Sequence, residues 1–220
     1  NWDFVEGKVD SSDPETKSIE EKMARDVHKE YFGADGKNFG LPFYEATYGI
    51  VYDIDLFENK MLYLRDGGKE LIRSATDKRS AGPDGEYNTS DDGLPATYDE
   101  FFVLCDYMVS PKGIVPFNWS GAAREGYLTQ TYMQLLADYE GLDGYNTYLT
   151  FDGEAKNLVK SIDDNGSVTF EETTTISDEA NNGYLMSKSA GRYYAAKFFE
   201  RLIKNDDYYS SGCFKNNYSH

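Results

Sequence analysis

The segment Gly40–Phe57 constrains the fold of this chain more than any other stretch. It begins with a Gly-Leu-Pro breaker and continues as a run of aromatic and β-branched residues, which is the composition of a β-strand. The run ends at Tyr52–Phe57, where acidic residues and an apolar pair predict the start of a short helix. Further along the chain, Thr97 and Glu100 have the spacing of a capping box and predict the start of another helix.

Other segments carry helix and strand patterns that alternate along the chain. Asn165-Gly166, between two β-rich runs, predicts a hairpin. Helices outweigh strands, so we predict an α/β fold with a mixed sheet flanked by helices. The predicted helices are Gly67–Ser74, Thr97–Ser110, Tyr127–Glu140 and Ser187–Lys204, and Ile114–Trp119 is a predicted strand.

The charge of the chain narrows the classes of partner. Among 220 residues there are 22 Lys and Arg against 39 Asp and Glu, a net charge of -17. Binding to nucleic acid or to an anionic membrane surface requires clustered cations, so the net charge argues against both partners. Neutral and cationic ligands remain open. The two cysteines, Cys105 and Cys213, are far apart in sequence, and we expect two free thiols, although the sequence does not decide whether they pair.

Two segments carry a family resemblance. Their sequences are G-L-P-F-Y-E-A-T-Y-G-I-V-Y-D-I-D-L-F and L-P-A-T-Y-D-E-F-F. They resemble the middle of the extracellular solute-binding proteins of bacterial sugar ABC transporters, the family that is similar to maltose-binding protein. Asp53 stands where the family has Asn, and Tyr98 stands where it has Trp.

The resemblance implies a domain organisation and a function. Residues 1–38 would be a leading helical segment from the first lobe or the connection between lobes, with a helix near Ser18–Gly33. Residues 39–220 would form an α/β lobe, mostly the second lobe, that is incomplete at its C-terminal end. The chain would bind an extracellular oligosaccharide without catalysis and deliver it to the permease subunits. It would be a periplasmic protein or a lipoprotein whose lipid anchor lies outside this chain.

A first group of candidate ligand-binding residues surrounds the end of the strand predicted at Ile114–Trp119. Trp119 and Tyr127 can stack on the apolar face of a sugar ring, and Glu125 can accept hydrogen bonds from sugar hydroxyls. The resemblance implies the same roles, because the family has a Glu, one intervening residue and a Tyr in the corresponding loop. The alternative is that both aromatic residues lie in the core and that Glu125 is an exposed carboxylate at a helix N-terminus.

A second pair of candidates lies in the strand of the first segment. Strand alternation places Tyr44 and Glu45 on opposite faces. A Glu within a strand suited to burial requires a partner or a ligand, and the resemblance implies a ligand contact at Glu45. An edge-strand Glu that faces water is the alternative.

The loop at residues 81–93 is rich in Asp and Gly and predicts a calcium site. Asp84, Asp91 and Asp92 would supply carboxylate oxygens, which suit a hard cation such as Ca²⁺. The spacing is not that of an EF-hand, because Thr89 occupies the position where an EF-hand has Gly. The alternative is a solvated loop that binds no ion. We expect no other cofactor.

Two further functions stay open beside carbohydrate binding. A carboxylate pair in so acidic a chain could act on glycans, and a calcium-stabilised surface module could use the 81–93 loop. Signatures of other enzymes are thin, since the two histidines, His28 and His220, have no metal-ligand spacing. We also expect the chain to supply one wall of a two-walled cleft and therefore to bind sugar weakly by itself.

Overall fold

The computed structural model describes residues 49–178 and 180–215. The chain divides into two compact units between Tyr48 and Gly49, and every described residue belongs to the second unit. The boundary predicted from the sequence, between residues 38 and 39, and the predicted helix near Ser18–Gly33 both lie outside the described residues.

The described part of the chain combines helices with short strands. The α-helices are α1 (Ile54–Lys60), α2 (Tyr98–Val109), α3 (Arg124–Thr150) and α4 (Ala190–Lys204). The strands are β1 (Gly153–Ala155), β2 (Val159–Ile162), β3 (Val168–Phe170) and β4 (Thr174–Ile176). Short 3-10 helices span Gly121–Ala123, Gly183–Lys188, Asp206–Tyr208 and Ser211–Phe214. The predicted α/β character, with helices outweighing strands, is confirmed.

The strands form two small antiparallel sheets, in which β1 pairs with β4 and β2 pairs with β3. The predicted hairpin at Asn165-Gly166 joins β2 to β3 and is confirmed. Asp163 fixes this turn because its Oδ1 accepts hydrogen bonds from the backbone N–H groups of Asn165 (2.9 Å) and Ser167 (2.8 Å). Gly166 has a φ of 82°, a conformation that favours glycine.

The first two helices begin where the sequence predicts, because side chains cap their first turns. Thr97 Oγ1 accepts a hydrogen bond from the N–H of Glu100 at 3.2 Å, and Glu100 Oε2 accepts one from the N–H of Ala96 at 2.7 Å. At the start of α1, Asp53 Oδ1 accepts from the N–H of Leu56 at 2.9 Å. Each cap satisfies a backbone donor that has no partner within its own helix.

Helix α3 is interrupted at Gly141, the residue that follows the predicted helix Tyr127–Glu140. Gly141 has φ 71° and ψ 176°, a combination that is essentially restricted to glycine. The chain then resumes a helical course to Thr150, and Phe151, with φ 55°, ends it. None of the described helices, including α3, is long and apolar enough to cross a membrane.

Three clusters of buried side chains form the core. One surrounds α1 and the start of the following segment, with Leu62 and Leu64 fully buried. A second joins α2 to α4 through residues that include Phe102 and Leu202. The third lies under β1 and β4 and consists of Ala155, Leu158, Ile176 and Met186. Both cysteines belong to the second cluster and are buried free thiols, and burial raises the pKa of Cys105 to about 12.

Two predictions of local structure are wrong. Gly67–Ser74 is not a helix, because Gly67 and Gly68 both adopt positive φ and the chain turns back to form the bridge between Leu64 and Leu71. Ile114–Trp119 does not form a strand of a sheet. It makes one isolated parallel bridge, between Phe117 and Tyr209, because the partner segment is a 3-10 helix up to Tyr208 and offers no longer run of strand.

Candidate functional site

Trp119 lies in the core rather than at the mouth of a groove. Its side chain is 7% exposed. Its ring centroid lies 5.6 Å from that of Phe117, 5.7 Å from that of Tyr209 and 5.4 Å from that of Phe214. These aromatic neighbours occupy the ring surfaces that a sugar would need, so the expectation of a stacking role for Trp119 is corrected to a core role.

Glu125 and Tyr127 are exposed, and the ring of Tyr127 is 53% exposed. Both residues lie in the first turn of α3, which begins at Arg124. Side chains two positions apart in a helix do not face each other. The structure therefore brings both residues to the surface without directing them at one ligand. The pair Tyr44 and Glu45 lies outside the described residues.

The acidic loop at residues 81–93 is held by hydrogen bonds within the loop. Asp91 accepts from the hydroxyl of Thr89 at 2.7 Å and from the N–H of Asp84 at 3.1 Å. These two hydrogen bonds, the hydroxyl first, hold the pKa of Asp91 below its usual range. Asp92 accepts from the N–H of Asn88 at 2.9 Å. The carboxylates of Asp91 and Asp92 thus accept hydrogen bonds from backbone N–H groups of the same loop.

Calcium binding by this loop stays a prediction. Across residues 49–178 and 180–215, no three His, Cys, Asp or Glu side chains are grouped closely enough to hold a metal ion. Asp91 and Asp92 each accept hydrogen bonds from the loop backbone, and a complete calcium shell needs 6–8 oxygen ligands, so further oxygens would have to come from other groups.

A concave site with many hydrogen-bonding groups surrounds the break in α3. We call it the Gly141 cleft. Its volume is about 510 Å³, within the usual range for ligand pockets of roughly 300–1,000 Å³. Three stretches of chain contribute its walls: the end of α3, the strand β1 with the residues that follow it, and the approach to α4. The cleft is lined by residues 140–144, 146, 147, 152–158, 186 and 189.

The side chain of Glu140 links α3 by hydrogen bonds to the residues after β1 and to the start of α4. Its Oε1 accepts a hydrogen bond from the N–H of Gly191 in the first turn of α4 at 2.6 Å. Its Oε2 accepts a longer bond, 3.4 Å, from the side-chain amide of Asn157. A carboxylate is favourable at a helix N-terminus, because the first N–H groups are unpaired and the helix dipole is positive there. Glu140 therefore holds the floor of the cleft in place.

Ser189 contributes a buried hydroxyl that has no hydrogen-bond partner among the described residues. It lines the cleft, and the residue is 2% exposed. A buried hydroxyl without a partner costs about 1–3 kcal/mol. The Oγ of Ser189 is itself buried, so a group in the cleft does not reach it in this conformation. Three other buried side-chain atoms of the described part share this condition, in Ser80, Trp119 and Ser120, but none of those residues lines the cleft.

The lining of the cleft combines polar groups with apolar patches. Carboxylates come from Glu140, Asp143, Asp152 and Glu154, and side-chain amides from Asn146 and Asn157. Apolar surface comes from Leu142, Leu158 and Met186. Carboxylate oxygens accept hydrogen bonds, and amides both donate and accept them, so this arrangement suits a ligand with many hydroxyl groups.

A smaller cleft of about 350 Å³ adjoins Leu158 and is lined by residues of β2, of the connection from β3 to β4 and of the 3-10 helix before α4. Phe170 contributes its aromatic surface, and Lys188 and Glu171 form a loose ion pair across it at 3.9 Å. It carries fewer polar groups than the Gly141 cleft, so we place the candidate site at the latter.

Sequence reasoning missed the Gly141 cleft. The one available signal is the run Glu140-Gly141-Leu142-Asp143-Gly144, in which two glycines interrupt a helical pattern among acidic residues. The contributions of Asn157 and Ser189 depend on tertiary contacts that no local pattern reveals.

Comparison with known proteins gives no relative from which a function could be transferred. No protein-family model, no curated protein and no solved structure matches the chain. A function for this chain can therefore be inferred only from its own residues and from the family resemblance of its two motifs.

Proposed function

We propose that this chain binds an extracellular carbohydrate and delivers it to an ABC importer, without catalysing a reaction on it. The observation that supports binding best is the Gly141 cleft, a concave site whose walls alternate hydrogen-bonding side chains with aliphatic surface. A sugar presents the complementary surface, with hydroxyl groups around its edge and C–H groups on its faces. The cleft, rather than the Trp119 region, is the site in this proposal.

Individual residues have distinct roles in this proposal. Asp143 and Asn146 lie on the resumed part of α3, and their side-chain oxygens would accept hydrogen bonds from sugar hydroxyls. Leu142 and Met186 would cover an apolar face of the sugar ring. Glu140 is already bonded to α4, so it would position the other groups.

The transport part of the proposal depends on the family resemblance of the segments at Gly40–Phe57 and Leu94–Phe102. It makes the permease subunits the protein partners. It also places the chain outside the cell, as a periplasmic protein or as a lipoprotein anchored by a lipid that lies beyond this chain. In this proposal these 220 residues supply one wall of a two-walled cleft, and another lobe supplies the other wall. Because one wall alone covers only part of a ligand, we expect this chain to bind sugar weakly by itself.

NMR titration of the chain with a panel of sugars tests the binding step, because it detects weak complexes. We expect the amide signals of Gly141, Gly144 and Gly153 to shift on sugar addition. Asp143→Asn should weaken the response, because Asp143 is an exposed carboxylate of the cleft lining. Asp164→Asn is the matched control, since it changes an exposed carboxylate that does not line the cleft.

Two results would overturn this proposal. If no sugar of the panel shifts the signals of the cleft glycines, carbohydrate binding at this site is wrong. If the chain instead releases reducing ends from a glycan and Asp152→Asn abolishes this release, the cleft is an active site, as expected for a carboxylate pair. The four carboxylates of the lining make that second assay worth performing on the same samples.

A further inference from the structure

We propose that Asn165, in the turn between β2 and β3, is a site of spontaneous deamidation, and that Asn182 is protected from the same reaction. These residues form the two Asn-Gly pairs of the sequence, with Gly166 and Gly183. Asparagine is among the thermally labile residues, and a following glycine has no side chain that shields the peptide nitrogen. The two pairs share this local chemistry, so a difference in their reactivity must come from the fold.

The reaction needs only water and a base such as hydroxide. The backbone nitrogen of Gly166 loses its proton to the base and attacks the side-chain carbonyl carbon of Asn165, so a new C–N bond closes a five-membered imide. The bond from that carbon to the side-chain nitrogen breaks, and the nitrogen takes up a proton and leaves as ammonia. Water then opens the imide at either carbonyl, which leaves an aspartate or an isoaspartate. Both products carry an additional negative charge.

The two asparagine side chains differ in how they are held. The side chain of Asn165 is exposed and makes no hydrogen bond with the described residues. Asn182 is half-buried, and its side-chain amide donates to the carbonyl oxygen of Thr175 at 2.8 Å. Its Oδ1 also accepts from the N–H of Ser177 at 3.1 Å. Both of these bonds must break before the side-chain carbonyl carbon of Asn182 can turn toward the nitrogen of Gly183.

The two attacking nitrogens have similar hydrogen bonds but different surroundings. The N–H of Gly166 donates to the carbonyl oxygen of Asp163 at 2.9 Å, and that of Gly183 donates to the carbonyl oxygen of Asp178 at 2.9 Å. Gly166 is exposed, whereas Gly183 is buried. A methyl group added at Gly183 would lie 2.8 Å from the ring of Phe151, so this part of the backbone has little room to rotate. Water and base therefore reach the nitrogen of Gly166 more readily.

Asp163 slows the reaction at Asn165 without preventing it. Its Oδ1 accepts hydrogen bonds from the N–H groups of Asn165 at 2.9 Å and Ser167 at 2.8 Å. These bonds stabilise the turn in which the N–H of Gly166 is donated to the carbonyl oxygen of Asp163. The turn must open before the nitrogen can attack, and an exposed turn with few buried contacts opens at a small cost in free energy.

The expected difference in rate follows from the bonds that must open. Each side-chain hydrogen bond of Asn182 lowers the population of its reactive conformation by about two- to tenfold, which is the net effect of a typical hydrogen bond. With two such bonds and a buried Gly183, deamidation at Asn182 should be at least about tenfold slower than at Asn165 in the folded chain. In the unfolded chain both sites lose these surroundings, so their rates should be similar.

Two variants of the turn test the protective effect of Asp163. Asp163→Ala removes the acceptor of two N–H groups and should speed deamidation at Asn165 by about two- to tenfold. Asp164→Ala is the matched control, because Asp164 is an exposed carboxylate of the same turn whose side chain makes no hydrogen bond with the described residues. Equal rates in the two variants would show that the hydrogen bonds of Asp163 do not control the reaction.

Incubation of the intact chain at mildly alkaline pH, followed by peptide mapping with mass spectrometry, tests the selectivity. We expect the peptide that contains Asn165 to gain the mass difference between an amide and an acid and to separate into aspartate and isoaspartate forms. The peptide that contains Asn182 should stay unchanged over the same period, and in urea both should react. Deamidation of Asn182 as fast as that of Asn165 in the folded chain would overturn the proposal. So would a folded chain in which Asn165 stays intact for as long as Asn182 does.

Discussion

Replacement of Gly191 by Ala should destabilise the chain, although alanine is the better helix former. Gly191 is the second residue of α4 and is buried. A methyl group added there would lie 2.8 Å from Glu140 Cγ, 2.9 Å from Glu140 Oε1 and 3.0 Å from the carbonyl oxygen of Leu136. The side chain of Glu140 can move, but the Leu136 carbonyl is backbone of α3. The methyl group therefore forces the two helices apart or displaces Glu140.

Helix propensity and steric overpacking change the unfolding free energy of Gly191→Ala in opposite directions. Helix propensity favours Ala over Gly by about 0.8–1.0 kcal/mol. Overpacking of a tight contact costs roughly 1–3 kcal/mol. Displacement of Glu140 also weakens its hydrogen bond to the N–H of Gly191, and a bond to a charged group contributes about 1.5–3 kcal/mol. Glu140 is half-buried, and water replaces part of that bond, so we expect a net loss of about 1–3 kcal/mol.

Gly126→Ala is the matched control, because Gly126 lies in the first turn of α3 and a methyl group there would meet no atom within 4 Å. It should stabilise the chain by up to about 1 kcal/mol. Urea unfolding at constant pH measures both changes. Gly191→Ala with unchanged or increased stability would refute the reasoning. A double variant with Glu140→Ala should recover part of the loss, since neighbouring changes are coupled by about 0.5–3 kcal/mol.

Three further predictions concern other parts of the chain. The pKa of Tyr208 is raised to about 12 by burial and by its hydrogen bond to Asp106. Its stabilising contribution is therefore complete below about pH 10 and is lost as the pH rises to about 12, and Tyr208→Phe should flatten the pH dependence of the unfolding free energy in that window. Gly121→Ala should destabilise by at least about 1–3 kcal/mol, because its methyl group would lie 1.8 Å from the carbonyl oxygen of Lys215; unchanged urea unfolding would contradict this. If the 81–93 loop binds calcium, Ca²⁺ should raise the melting temperature, and identical melting in calcium and in excess chelator would count against the site.

Local patterns predicted the parts of the fold that local interactions determine. The capping residues Thr97 and Asp53 and the turn at Asn165-Gly166 each act through hydrogen bonds within a few residues, and all three are present. The prediction of a helix at Gly67–Ser74 is wrong, because two consecutive glycines with positive φ turn the chain back on itself.

The candidate sites were harder to predict, because exposure is a tertiary property. Trp119 and Tyr127 are both aromatic residues beside a predicted strand end, yet one is 7% and the other 53% exposed. The difference arises because Tyr209 and Phe214, from the C-terminal part of the described chain, cover Trp119. No pattern near Trp119 reveals that cover.

The Gly141 cleft shows how a local conformation and a distant contact together create a site. Acidic residues are spread along the whole sequence, so an acidic run alone does not distinguish a site. At Gly141 the chain leaves the helical conformation and then resumes it, and residues on both sides of this break, Glu140 and Asp143, line the cleft. The hydrogen bond from the N–H of Gly191 to Glu140 joins the start of α4 to the part of α3 that precedes the break. A substitution at Gly141 should therefore alter the cleft even though glycine contributes no side chain to a ligand, because only glycine readily adopts this backbone conformation.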